Sequence, residues 1–247
     1  FLNSEIITED IANGLQLTDS YNHVLEVGPG KGMLTKYLLQ KDYDLKVVEA
    51  DRDMVSFLDK NFPQLEDKII SGDFLKSNLS EIFAGQQFGL IGNFPYNISS
   101  QIVFKLIENQ DLVQSWVGMF QLEMGKRLLA GPGSKQYGIL SVILPFYFKL
   151  EEVMVLGPNA FSPPPKVNSI VIKAESSDLS LSCNPKLFKR VVKTAFNQRR
   201  KVLSNSLKTI LPKETLNQSQ FANLRPENLS PQDFEQLSLF IESNVAH

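Results

Sequence analysis

Short apolar runs alternate with amphipathic stretches along most of this chain. Val24-Leu25-Glu26-Val27, Leu45-Lys46-Val47-Val48, Lys68-Ile69-Ile70, Phe88-Gly89-Leu90-Ile91 and Trp116-Val117-Gly118-Met119-Phe120 read as strands. Residues 32–40, 53–60, 76–84 and 99–109, which lie between them, read as helices. A first helix, capped by Asn3 or Ser4, carries Ile6, Ile7, Ile11 and Leu15 at helical spacing. This alternation predicts a parallel sheet with helices on both faces. Further helices are expected over 121–130 and 138–148, with Pro145 interrupting the second. Strands are expected over 152–156 and 168–173.

The polar, Ser-rich stretch from Glu175 to Pro185 reads as a linker. After it the pattern turns helical. Asn184 caps, Pro185 takes the first helical position, and Leu187, Phe188, Val191, Val192, Ala195 and Phe196 form a stripe. Ser230-Pro231 opens a last helix with Phe234, Leu237, Phe240 and Ile241 facing inward. The expected organisation is an α/β domain over 1–176 and a small all-helical domain over 177–247.

A chain of 247 residues, 43% hydrophobic, is long enough to bury a sizeable core. Its longest apolar stretch, Ile139 to Leu150, is interrupted by Ser141, Pro145 and Lys149, so no membrane span is expected. No charged start followed by an apolar run suggests a signal peptide. The single Cys183 fits a reducing cytoplasm. With one Cys and two His (His23, His247) a Cys/His metal site is not expected, nor is a Ser-His-Asp arrangement. The net charge of −2 conceals an asymmetry. From Cys183 to Lys213 there are nine basic residues and no Asp or Glu. A polyanion would be met there.

The first strand runs into Gly28-Pro29-Gly30-Lys31-Gly32. Glycines there let backbone approach a ligand at the carboxyl end of a doubly wound sheet, although strand-ending turns use glycine anyway. The place where a dinucleotide fingerprint needs its third glycine is Met33. Glu49, ending the second strand, can hold both hydroxyls of a ribose, or be a solvated strand end. Asp73, after the third, can accept from an adenine amino group with Phe74 against the ring, or cap the next helix. Together the three strand ends describe a pocket for an adenosine without a phosphate clamp, which suggests S-adenosylmethionine.

The fourth strand ends in Gly92-Asn93-Phe94-Pro95-Tyr96-Asn97. Asn and Pro are common turn residues, and a plain turn is one reading. The other is chemical. The adenine N6 lone pair is delocalised into the ring. Acceptors facing its two hydrogens, the Asn93 side-chain oxygen and the Pro95 carbonyl, help that nitrogen pyramidalise, while Tyr96 stacks on a flipped base. The proline-rich Phe161-Ser162-Pro163-Pro164-Pro165 loop can hold Phe161 at the other face of the base, or Phe161 is simply a core residue.

These segments resemble one family, the small-subunit ribosomal RNA adenine N6-dimethyltransferases. The resemblance covers nearly the whole chain. It includes Phe1-Leu2-Asn3, Glu26-Val27-Gly28-Pro29-Gly30, Val48-Glu49-Ala50-Asp51, Gly72-Asp73 and Asn93-Phe94-Pro95-Tyr96-Asn97-Ile98-Ser99. It continues through Lys135-Gln136-Tyr137-Gly138-Ile139-Leu140-Ser141-Val142, Phe161 to Val167, Phe196-Asn197-Gln198-Arg199-Arg200-Lys201 and Arg225 to Ser230. It implies a Rossmann-like, S-adenosylmethionine-dependent methyltransferase sheet with a small helical C-terminal domain. The implied activity is dimethylation of two adjacent adenosines near the 3′ end of 16S rRNA in an immature small subunit, by a cytoplasmic enzyme expected to be a monomer. By position, Leu2, Gly28, Glu49, Asp73 and Asn93 would contact the cofactor. Asn93, Pro95, Tyr96 and Phe161 would handle the base, and Arg199, Arg200 and Lys201 would face RNA. No metal is implied. Two departures stand out. Phe94 occupies a position usually Leu in this branch, an apolar exchange expected to be tolerated. The basic stretch that the family carries before Phe-Leu-Asn is not among these residues, and a cofactor site without it is expected to be weaker. The rival readings are a large-subunit RNA adenine methyltransferase and an assembly factor that binds RNA without turnover.

Overall fold

The computed structural model describes residues 2–17 and 21–245. Phe1 and His247, both named above, lie outside them. Seven strands form one sheet: β1 (His23–Val27), β2 (Asp44–Glu49), β3 (Ile69–Ser71), β4 (Phe88–Asn93), β5 (Val113–Gln121), β6 (Phe148–Leu156) and β7 (Ser169–Ser176). The helices are α1 (Glu5–Gly14), α2 (Thr35–Leu38), α3 (Arg52–Asn61), α4 (Leu79–Ile82), α5 (Ser99–Glu108), α6 (Leu122–Leu128), α7 (Ile139–Ile143), α8 (Pro185–Asn197), α9 (Leu203–Ser206), α10 (Lys213–Leu216) and α11 (Pro231–Asn244).

The sheet order is β3-β2-β1-β4-β5-β7-β6. The first five strands run parallel, as their apolar runs imply. β7 inserts antiparallel between β5 and β6. This is the expected Rossmann-like sheet. Strands buried on both faces explain the runs: Val24, Leu25, Leu90, Ile91, Trp116 and Val117 have no exposed surface.

Several local expectations shift for identifiable reasons. Ser4 is the cap of α1, its Oγ accepting from Ile7 N–H, and the inner stripe is Thr8, Ile11, Ala12 and Leu15. Ile6 lies off that stripe and is 73% exposed; Thr8 is accommodated because its hydroxyl donates to the Ser4 carbonyl at 2.7 Å. The helix expected over 138–148 stops at Ile143 and tightens into a 3-10 turn at Leu144–Phe146, where Pro145 has no N–H to give. β6 therefore starts at Phe148, ahead of the expected 152, and β7 runs into the stretch read as linker.

The chain divides into two compact units, Phe1–Gly125 with Phe148–Ser176, and Lys126–Tyr147 with Ser177–His247. The expected boundary after residue 176 is one of the dividing points. Residues 126–147 group with the later segment. In that unit α8 buries Phe188, Val191, Val192 and Ala195, α11 buries Phe234, Leu237 and Ile241, and α7 buries Leu140, Val142 and Ile143. Phe146 meets Phe188 edge-on and Phe196 stacks on Phe234. Phe240 is only half-buried.

Candidate active site

The loop after β1 is built on backbone that only glycine adopts easily. Gly28, Gly30 and Gly32 have φ of 68°, 56° and 75°. Glu49 braces it from the end of β2: one carboxylate oxygen accepts from Gly30 N–H at 3.0 Å, the other from Asp51 N–H at 3.0 Å. Gly28 N–H donates to Val48 O and Gly72 N–H to Glu49 O, so the three strand ends are stitched together.

A cavity of about 260 Å³ opens beside this loop. Gly28, Pro29, Gly92 and Asn93 supply its backbone-rich wall, Leu2, Ile11 and Leu34 an apolar one, and Met33 and Met119 two thioethers. Glu26 also lines it while being 1% exposed. Burial pushes its carboxyl up to about 8, and the nearby Glu49 charge adds to this. The Thr35 hydroxyl, donating at 2.7 Å, pulls the other way. Glu49 and Asp73 are not part of this lining. Asp73 is exposed and its Oδ1 accepts from Leu75 N–H at 2.9 Å, so the capping alternative is realised. Phe74 is buried under the Lys105 ammonium, 5.4 Å above its ring, and does not face the cavity.

A second recess, about 250 Å³, is lined by Asn93, Phe94, Pro95 and Tyr96 on one side and Phe161, Pro163 and Pro165 on the other. Asn93 belongs to both linings, and its side chain makes no hydrogen bond among the described residues. Tyr96 is half-buried and its hydroxyl is 2.6 Å from Ser169 Oγ. The Pro95 carbonyl accepts from Ile98 N–H at 3.1 Å, which closes the turn and leaves it a second lone pair. Phe161 is 6% exposed, and its backbone bridges Leu2. The turn rests on Phe94, which is 1% exposed and packs over a glycine pair: Gly92 and Gly118 face each other across β4 and β5. A Cβ at Gly118 would come within 2.4 Å of the Phe94 ring. The missing side chains at Gly92 and Gly118 leave the room that the Phe94 ring fills.

The second unit holds the basic residues. Arg200 and Lys201 are exposed just beyond α8. Arg199 is committed internally: its two terminal nitrogens donate to Lys135 O and Ser134 O, each at 3.0 Å, and its Nε lies 3.4 Å from the Glu227 carboxylate. No group of His, Cys, Asp and Glu suited to a metal ion exists among the described residues, and no described helix is long and apolar enough to cross a membrane.

Comparison with known proteins decides the family. The model of the family described as ribosomal RNA adenine dimethylase matches residues 1–242. The chain belongs to that family. It is 48% identical to a ribosomal RNA small subunit methyltransferase A of Phocaeicola vulgatus, over 98% of this chain and 87% of that one. It is 49% identical to one of Bacteroides thetaiotaomicron, over 98% and 91%. Among solved structures it is similar to a dimethyladenosine transferase from Plasmodium falciparum, at a TM-score of 0.85 and 26% identity over 100% and 99% of the two chains. The 23S rRNA methyltransferase ErmE shares the fold, at a TM-score of 0.70 and 22% identity over 98% and 99%.

In this adenine dimethylase Gly28, Asn93, Pro95, Tyr96 and Phe161, each singled out from sequence, line one or both of these recesses. Glu26, Met33, Leu34 and Met119 were missed as cavity walls. Glu26 carried a signal, being a lone acid inside an otherwise apolar strand, where it cannot stay charged and unpaired. Met119 carried none, since its position beside Asn93 depends on the pairing of β4 with β5.

Proposed function

We propose that this dimethylase transfers methyl groups from S-adenosylmethionine to the N6 amines of two adjacent adenosines near the 3′ end of 16S rRNA in an immature small subunit. The observation that carries this reading is Asn93, which lines the cavity suited to the cofactor and the recess suited to a flipped base.

The first cavity fits the cofactor chemically. Its glycine backbone permits close approach, and Leu2, Ile11, Leu34 and the two methionines accept apolar and sulfur-bearing groups. Leu2, Gly28, Glu49, Asp73 and Asn93 are the residues we assign to holding it. S-adenosylmethionine supplies, when bound, a methyl group on a sulfonium, an excellent leaving group, so no strong base is required. Asn93 Oδ1 and the Pro95 carbonyl accept from the two N6 hydrogens, concentrating the lone pair on nitrogen. Tyr96 and Phe161 hold the base from its two faces. The chain's contribution is positioning for in-line attack. Each transfer replaces one N6 hydrogen with the methyl group, the hydrogen leaving as a proton to solvent, so the doubly methylated base has nothing left to donate to either acceptor. Arg200 and Lys201 meet RNA phosphates, with Arg199 supporting them.

Labelled S-adenosylmethionine, with undermethylated small subunits and separately with large subunits, tests the proposal. The expected result is N6,N6-dimethyladenosine in small-subunit RNA. Label confined to large subunits, or binding without transfer, overturns it.

A further inference from the structure

Ser169 has no exposed surface, yet it offers its hydroxyl to the Tyr96 phenol at 2.6 Å. It opens β7, an interior strand, and pairs with Gln121 of β5 on one side and Leu156 of β6 on the other. A residue held in two ladders cannot move without disturbing the sheet. Tyr96 is different: it sits in the turn after β4, half-buried, with an aromatic ring whose plane the turn alone does not set.

We infer that Ser169 is a positioning residue for methyl transfer, tethering the Tyr96 ring so that its plane is set before a base arrives. This rests on the reading of Tyr96 as the stacking platform for the target adenine. The opposite wall points the same way. Phe161 lines the same recess and lies on the segment that leads into β7, ahead of Ser169. The tether therefore fastens the Tyr96 wall to the strand whose approach carries the Phe161 wall, and this fixes the gap a planar base must enter. The phenol oxygen serves as an anchor, and the ring face is left for the base.

The test is steady-state methyl transfer to undermethylated small subunits by the full chain, its Ser169→Ala, Tyr96→Phe and double variants, and Tyr96→Ala. Each single tether variant should lower kcat about 3- to 10-fold, the size of one neutral hydrogen bond, with the KM for the particle little changed. The double variant should be no worse than either single, because both remove the same bond. Calorimetric affinity for S-adenosylmethionine should be the same in all. A merely structural Ser169 would lower the melting temperature while leaving kcat per folded enzyme intact, and that result overturns the tether, as do additive losses. Should Ser169→Ala fail to fold, Tyr96→Phe decides alone: unchanged kcat overturns the proposal. Full activity in Tyr96→Ala would instead remove the stacking reading beneath it.

Discussion

Leu2 and Phe161 form an isolated antiparallel bridge, which ties the segment that supplies a wall of the first cavity to the segment that supplies a wall of the second. The bridge is reinforced where Asn3 N–H donates to Ala160 O at 3.0 Å and the Asn3 side chain donates to Asn159 O at 3.1 Å. Asn3→Pro, which deletes the backbone donor, should weaken cofactor binding and lower kcat together. The expected loss is about 3- to 10-fold in each. Asn3→Ala keeps the N–H and should lose less. Calorimetry and turnover on both variants check this; equal behaviour would mean the bridge is not needed.

Asn93→Ala should cost about 10²-fold in methyl transfer without unfolding the chain if, as proposed, its side-chain oxygen accepts from the reacting amine. The side chain is exposed and unpartnered among the described residues, so stability has little to lose. Turnover assays with melting curves separate the two effects. Near-normal turnover would take Asn93 out of the mechanism.

Gly118→Ala should disable the enzyme from a distance. Its new methyl would meet the Phe94 ring at 2.4 Å and the Phe120 ring at 2.8 Å, displacing the turn that carries Asn93, Pro95 and Tyr96. Overpacking of this kind costs about 1–3 kcal/mol. Adding Phe94→Leu should recover part of both stability and turnover by vacating the space. No recovery in the double variant would place the damage elsewhere.

The three basic residues should not respond alike. Arg200→Ala and Lys201→Ala should each reduce the log–log salt slope of particle binding by about 0.7 to 0.9 for every phosphate no longer neutralised, with the melting temperature unchanged. Arg199→Ala should mainly lower the melting temperature, since it strips donors from two loop carbonyls and leaves Glu227 without its cation. Salt titrations and thermal melts on the three single variants check the division.

Glu26 gives a pH signature. Its folded-state value of about 8 lies above the ordinary 4.5, so the folded chain holds a proton that the unfolded chain releases. Stability from this group is complete below pH 4.5 and is lost as pH rises towards 8, by up to about 1.4 kcal/mol per pH unit. Glu26→Gln removes the titration. Wild type minus variant stability, measured by urea melts without cofactor, should therefore fall across that window and flatten above it. A constant difference would mean Glu26 is not held neutral.

Much of this was legible in the sequence because the deciding signals are local. The apolar runs of β1, β2, β4 and β5, the glycine loop and the Asn93 to Asn97 turn each announce themselves within a few residues. The antiparallel insertion of β7 was not legible, because pairing partners as distant in the chain as Gln121 and Ser169 leave no short-range mark. Thr8 in place of Ile6 was lost to competing uses of the same residue types. The tether on Tyr96 was lost for the same reason as β7, since it exists only once that strand is in place.

The chain crosses between its two units three times, so neither is a continuous stretch. This bears on how the molecule can be made and divided. During synthesis β5 emerges long before β7, and its outer edge stays open while the residues of an unrelated core pass out of the ribosome. Cutting after Ser176 would not release a clean catalytic half, because Leu140, Ile143, Leu144 and Phe146 would be left without the helices that bury them. A gene fusion or a recombination event confined to the last seventy or so residues would meet the same obstacle.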